Sequence, residues 1–320
     1  MSEPDSIREE TKHRRGGSAV DKGKIAAFVA LAFGISWTAA AALYLVGVEY
    51  NTIASTVLVV IFFMWAPGVA AVVVQLRTGE PVRAGIGLVR GRLRWSVVAW
   101  LAPVALLAAT LGIGVALPGI SITTDYGAFL AEQGFSEEQI ERSLALLEGL
   151  PVPPIVLFVG QGLVAGVTIN AVAALGEELG WRGLLLTELS TLGFWRLSGV
   201  TGAVWGVWHA PIILQGHNFP EAPIAGVATM TVWTVAASPV FTYLTVRARS
   251  VLAATFFHGS FNAVGSLSLV YLTGAGNLLT AAVGVAGIGA AVVAVVTCVL
   301  HDRFLADERI TTGEPLSPWA

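Results

Sequence analysis

About eight stretches of roughly twenty mostly apolar residues constrain this chain more than any other feature, because a helix of about 20 such residues crosses the hydrocarbon core of a bilayer. They run near 25–48, 53–75, 96–117, 154–176, 198–215, 222–246, 250–273 and 277–300. Each is bounded by charge, proline, glycine or asparagine. No water reaches backbone N–H and C=O groups in lipid, so such runs must be helical. The expected fold is all-α: a polytopic membrane protein of about eight transmembrane helices. Composition agrees, since 55% of the residues are hydrophobic and only 12% are charged. Soluble domains carry about a quarter charged residues. The formal net charge of -3 gives no reason to expect a nucleic-acid partner. The one cysteine, Cys298, cannot close an intrachain disulfide.

Lysine and arginine collect in cytoplasmic loops. With the N-terminus placed inside, every basic residue except Arg142 falls on the cytoplasmic side of an eight-span chain. Both termini are therefore expected to be cytoplasmic. Residues 1–24 lack the apolar core and cleavage site of a signal peptide and read as a disordered cytoplasmic arm. Residues 25–118 hold the first three spans, read as packing helices. Residues 119–153 form an extracytoplasmic acidic insertion with Asp125, Glu132, Glu137, Glu138, Glu141 and Glu148. Within it, Ser136-Glu137-Glu138-Gln139 has the form of a helix N-cap followed by acidic first-turn residues, which predicts a short helix near 136–149. A core over 154–275, a final helix over 276–300 and a loose polar tail over 301–320 complete the chain. Gly162 and Gly166 are spaced for close helix packing.

Ionisable side chains inside a membrane are costly, so each one in a span is a candidate functional group. They gather in three segments: Gly176-Glu177-Glu178-Leu179-Gly180-Trp181-Arg182, Trp205-Gly206-Val207-Trp208-His209 and His258-Gly259-Ser260-Phe261-Asn262. Residues four apart share a helix face. Glu178 can therefore pair with Arg182, while Glu177, about 100° round the helix, stays free of that pair. Trp205 and His209 share a face, as do His258 and Asn262. At about 1.5 Å per residue, His258 lies roughly 12 Å and His209 roughly 16 Å in from the cytoplasmic side. Glu177 is placed at the cytoplasmic end of its span. Convergence is thus expected in the cytoplasmic half of the bilayer. Singly, each segment is also what ordinary packing produces: a charge cluster at a helix end, a packed histidine, an interhelical hydrogen bond. Together they supply a carboxylate, two imidazoles and an amide.

In type, order and interval the three segments resemble the CPBP family of CAAX proteases and bacteriocin-processing enzymes, also called Abi. The marks of that family are EExxxR, FxxxH and HxxxN on successive membrane helices. The resemblance covers about 154–275. It implies an intramembrane endopeptidase in a prokaryotic cell membrane, acting on a membrane-associated peptide or lipidated protein, prenylated CAAX-type or bacteriocin-like. It assigns Glu177 as general base, His209 as the group that holds the water, and His258 with Asn262 as donors to the oxyanion. Glu178 and Arg182 are implied to fix the helix. Trp205 stands where the family usually has Phe, which alters the shape of the aromatic lining. Glu177, His209 and His258 would also make a zinc set with water as fourth ligand. The chain has no HExxH helix, and a metal-independent, glutamate-driven reaction is the expectation.

Three rival readings compete. A transporter or channel would string buried charges along a pathway and often show inverted repeats; here the charges cluster and no repeat is visible. A haem protein would use His209 and His258 as axial ligands and leave the glutamates and Asn262 unexplained. A catalytically inactive membrane scaffold would keep the same residues for packing alone.

Overall fold

The computed structural model describes residues 20–48 and 53–319. Its order is α1 (Lys22–Leu45), α2 (Val57–Thr78) and α3 (Leu93–Ala116), then α4 (Tyr126–Glu132) and α5 (Glu137–Glu148) in the insertion. The second half is α6 (Pro154–Val167), α7 (Ile169–Leu192), α8 (Phe194–Leu214), α9 (Pro223–Ala248), α10 (Val251–Val264) and α11 (Asn277–Phe304). The protein is an all-α polytopic membrane protein. Among the described residues six helices are long and apolar enough to cross a membrane, and the bent pair α6–α7 brings the number to as many as seven. A single two-stranded antiparallel ribbon pairs Ser121–Ile122 with Leu272–Thr273, tying the insertion to the segment after α10.

Two spans differ from expectation. The stretch over 250–273 is broken: the 14-residue α10, about 21 Å long and shorter than the hydrocarbon core, is followed by a turn and the short helix Leu267–Tyr271. Helix α10 packs among α3, α6, α7 and α9. A helix sheathed by protein need not reach both interfaces. The stretch over 154–176 bends by 51° at Thr168 and continues as α7 to Leu192. The charged segment after Glu177 is therefore a buried helix. Arg182, counted with the loops in the charge pattern, is 0% exposed. Its pairing with Glu178 is what makes that burial tolerable.

Glycines set the crossings that position α7. At Gly259 of α10 a Cβ would collide with the backbone of Gly166 and Ala171, so the helix lies directly on the α6–α7 joint. Gly68 of α2 and Gly176 of α7 meet backbone to backbone, a Cβ on Gly68 falling 2.7 Å from Gly176 O. That contact presses α2 against the turn carrying Glu177.

One face of the molecule is stitched by polar contacts. Lys24 at the start of α1 is buried and holds both Glu80 and Glu188 at 2.6 Å. Arg92 N donates to Ala248 O at 2.7 Å, and Arg247 pairs with Asp302. The tail expected to be loose is docked here. Asp302 accepts from the N–H groups of Ile310 and Thr311 and from the Thr311 hydroxyl, and Trp319 Nε1 donates to Thr187 Oγ1 at 3.1 Å. Of the arm expected over 1–24, residues 1–19 lie outside the described residues; Asp21 caps α1, accepting from Lys24 N at 2.9 Å. The opposite face carries the insertion, where Ser136 and Gln139 form a reciprocal capping box on α5.

Candidate active site

Three helix stripes meet around one cavity of about 400 Å³. Asn170, Ala173 and Glu177 come from α7, spaced to share one face. Trp205, Trp208, His209 and Ile212 come from α8, and His258, Phe261 and Asn262 from α10, with Gly265 at its C-cap. Val59, Val60, Phe63 and Met64 of α2 and Met230 and Trp233 of α9 complete an apolar wall. The volume lies in the range of small-molecule sites. Glu177, His209, His258 and Asn262 all line this cavity, Glu177 at 2% exposure and Asn262 open to it.

The depth count needs correction. The cavity lies in the half of the molecule towards the insertion, not in the half towards the termini. The miscount arises on α7, which continues from α6 for fifteen residues beyond Glu177, so that Glu177 lies within the bent pair rather than at a span end.

The hydrogen bonds separate the two glutamates. Trp205 Nε1 donates to Glu177 Oε2 at 2.7 Å. Glu178 is 0% exposed and takes Arg182 Nη1 on both oxygens at 3.2 Å. It also bonds His258 Nδ1 through Oε1 at 2.8 Å. Arg182 Nη2 reaches Ser238 Oγ at 3.4 Å, and its guanidinium stacks over Trp205 and Phe241 at 4.3 and 4.1 Å. Glu178 thus clamps the helix, as its spacing suggested, and holds an imidazole of the next motif as well.

The same bonds set the histidine tautomers. His209 Nδ1 lies 2.8 Å from Trp205 O. A carbonyl only accepts, so Nδ1 carries the proton and Nε2 of the neutral ring is an acceptor. His258 Nδ1 faces a carboxylate, so it too carries a proton. Trp208 fixes the floor beside His209: its ring meets His209 edge-on at 4.8 Å, and its Nε1 donates to Ser36 Oγ of α1 at 2.7 Å. At the mouth, burial pushes the His217 imidazole down to about 4, so it stays neutral at physiological pH.

Some functional positions escaped the sequence reading. Asn170 was passed over, although a carboxamide in an apolar run, on the same helix face as Glu177, was a usable signal. It lines the cavity and donates to Gly259 O at 3.2 Å. The part played by α2 had no signal, since its lining residues are ordinary apolar ones.

Zinc was tested against these side chains. Among the described residues no three His, Cys, Asp or Glu side chains group as a metal site. Glu177 turns one oxygen to Trp205, and both imidazoles bond through Nδ1 to a carbonyl or a carboxylate, which leaves Nε2 of each as the remaining ring nitrogen, an arrangement that metal-ligating histidines also use. Glu177, His209 and His258 are not drawn together as a three-ligand group in this arrangement, and no step below runs through a metal ion.

Residues 159–264 match a family model, Rce1-like, described as type II CAAX prenyl endopeptidase Rce1-like. This segment is similar to a CAAX-protease-type domain. The match spans Glu177, His209, His258 and Asn262 and the three motifs that resemble the CPBP pattern. At family level the match supports a CAAX-type intramembrane protease. No curated protein matched the chain in a sequence search.

Proposed function

We propose that the protein is an intramembrane endopeptidase with Glu177 as general base. The observation that carries this reading is the pairing of acceptors in one cavity. Glu177 keeps one oxygen clear of Trp205, and His209 presents Nε2 as an acceptor. A water donating one hydrogen to each has its lone pair directed into the remaining space.

Hydrolysis needs that water activated, the oxyanion stabilised and a proton for the leaving amine. Glu177 takes the proton as the hydroxide adds to the scissile carbonyl carbon. Asn262, through its amide N–H, and His258, through Nε2, donate to the oxyanion. His258 can donate from Nε2 only as an imidazolium. In that state Glu177, Glu178, Arg182 and His258 sum to zero charge, the condition a low-dielectric interior tolerates best. Collapse of the intermediate breaks the C–N bond, and Glu177 returns its proton to the amine. The products are a carboxylic acid and an amine, and transfer of the acid proton to the amine gives carboxylate and ammonium.

The substrate is a membrane-associated peptide or lipidated protein, in keeping with the prenyl endopeptidase description of the matched family. Comparative membrane peptidomics of wild type and Glu177→Gln tests the reading. General-base catalysis contributes about 10²–10⁴ in rate, so cleavage products are expected to vanish from the variant while the protein still folds and inserts. Identical peptide sets would favour an inactive scaffold.

A further inference from the structure

Every described helix that lines the cavity does so on the half nearest one face. On α2 the lining stops at Met64, on α7 at Glu177 and on α9 at Trp233. On α8 it begins at Trp205 and on α10 at His258. Given the direction of each helix, these are all the same end. It is the end of the insertion: Leu269 of the lining is followed by Leu272–Thr273, which pairs with Ser121–Ile122.

Towards the other end packed side chains back the cavity. Behind the lining there, Trp181 packs against Trp208, Arg182 and Phe241 against Trp205, and Phe257 against Phe241, each 1% exposed or less. Beyond these residues lies the face that carries the charge. The arginines of the 76–95 loop, with Arg196, Arg247, Arg249 and Arg303, all sit on that side. Among the described basic residues Arg142 alone lies on the side of the mouth. Basic residues are retained on the cytoplasmic side of membrane spans.

We infer that the cavity opens on the extracytoplasmic side of the membrane and takes its substrate there. The substrate class follows if the site is the peptidase proposed above: the membrane-proximal extracytoplasmic stretch of an exported or membrane-anchored peptide, not a tail on the cytoplasmic side. The apolar wall of Val59, Val60, Phe63, Ile212 and Met230 suits an extended apolar segment arriving from the outer leaflet.

Single-cysteine variants of the full chain in a Cys298→Ala background test the orientation. Intact cells expressing them are treated with a charged, membrane-impermeant maleimide. Ser266→Cys reports the mouth, Leu146→Cys the insertion and Ser317→Cys the tail on the far side of this packing; all three positions are exposed. Labelling of Ser266→Cys and Leu146→Cys from outside is expected, with Ser317→Cys reacting only after permeabilisation. The reverse pattern, or equal labelling of Leu146→Cys and Ser317→Cys, overturns the orientation. If Ser266→Cys does not fold, the other two decide alone. Labelling needs no catalysis, so the orientation and the peptidase reading stand or fall separately. Mapping of protein N-termini in wild type and Glu177→Gln tests the substrate class. Termini lost in the variant are expected on the extracytoplasmic side of their proteins, and cytoplasmic ones overturn it. No lost termini would remove the peptidase reading and the substrate class, leaving the side of the mouth to the labelling.

Discussion

Glu177 and Glu178 are neighbours in sequence with opposite surroundings, and their variants should differ accordingly. Glu177→Gln keeps an acceptor for Trp205 and leaves Arg182 and His258 their shared partner Glu178, so its cost falls mainly on rate. Glu178→Gln strands Arg182 in the interior, and removing one partner of a buried pair costs about 3–5 kcal/mol. Its melting temperature in detergent is expected to fall well below those of Glu177→Gln and wild type. The i,i+4 spacing of Glu178 and Arg182 made this division legible in the sequence. The bonds from Trp205 to Glu177 and from His258 to Glu178 were not legible, because they join different helices and no spacing within one helix encodes them. Trp205 is the sharper case. A Phe there would fill the wall but offer no donor to Glu177. Trp205→Phe keeps the ring and removes a hydrogen bond to a charged group, worth about 1.5–3 kcal/mol. A fall in kcat of about tenfold to a hundredfold, with KM little changed, is expected on a peptide identified by the peptidomics above. An unchanged kcat would reduce Trp205 to wall packing. The absence of a three-ligand group among the described residues leads to a further expectation. Purified protein should hold zinc well below stoichiometry and keep its activity after chelation. Stoichiometric zinc whose removal abolishes activity would restore the metal reading.

Hydropathy located most of the helices, because lipid leaves an apolar backbone no alternative. It misjudged the two that meet protein instead of lipid. The end of α7 looked like a loop because it is charged, yet its charges neutralise one another inside the bundle. The seventh stretch looked like a full span because it is apolar, yet α10 is shorter and wrapped by its neighbours. The C-terminal tail misled in the opposite sense: its polar composition suggested a loose end, while its polar atoms find partners. Asp302 at the end of α11 collects them, pairing with Arg247 of α9 and accepting from Ile310 and Thr311. Asp302→Ala should cost about 3–5 kcal/mol, as removal of one member of a buried pair does. A lowered melting temperature in detergent, with faster proteolysis confined to the tail, is the expected signature. Unchanged melting would mean that the docked tail adds little to the fold.

Packed side chains back the cavity on the side away from the insertion, and that arrangement bears on the transporter reading. A carrier must expose its site to each side in turn, usually by rocking one repeat against another. Here such a motion would have to part Trp181, Arg182, Phe241 and Phe257. It would also break the Glu178–Arg182 pair and the stacking of Arg182 between Trp205 and Phe241. Separating a buried pair of this kind costs several kcal/mol, with no substrate charge at hand to replace it. A peptidase needs no second opening, since substrate and products can use the same mouth. Protein reconstituted into liposomes holding a pH gradient distinguishes the two. With an internal pH dye, the gradient is expected to decay no faster than in protein-free vesicles. The rate should also be the same for wild type and Glu177→Gln. A leak present in wild type and lost in Glu177→Gln would mean that Glu177 carries protons through a path across this packing, and the transporter would then be the better account of the same four side chains.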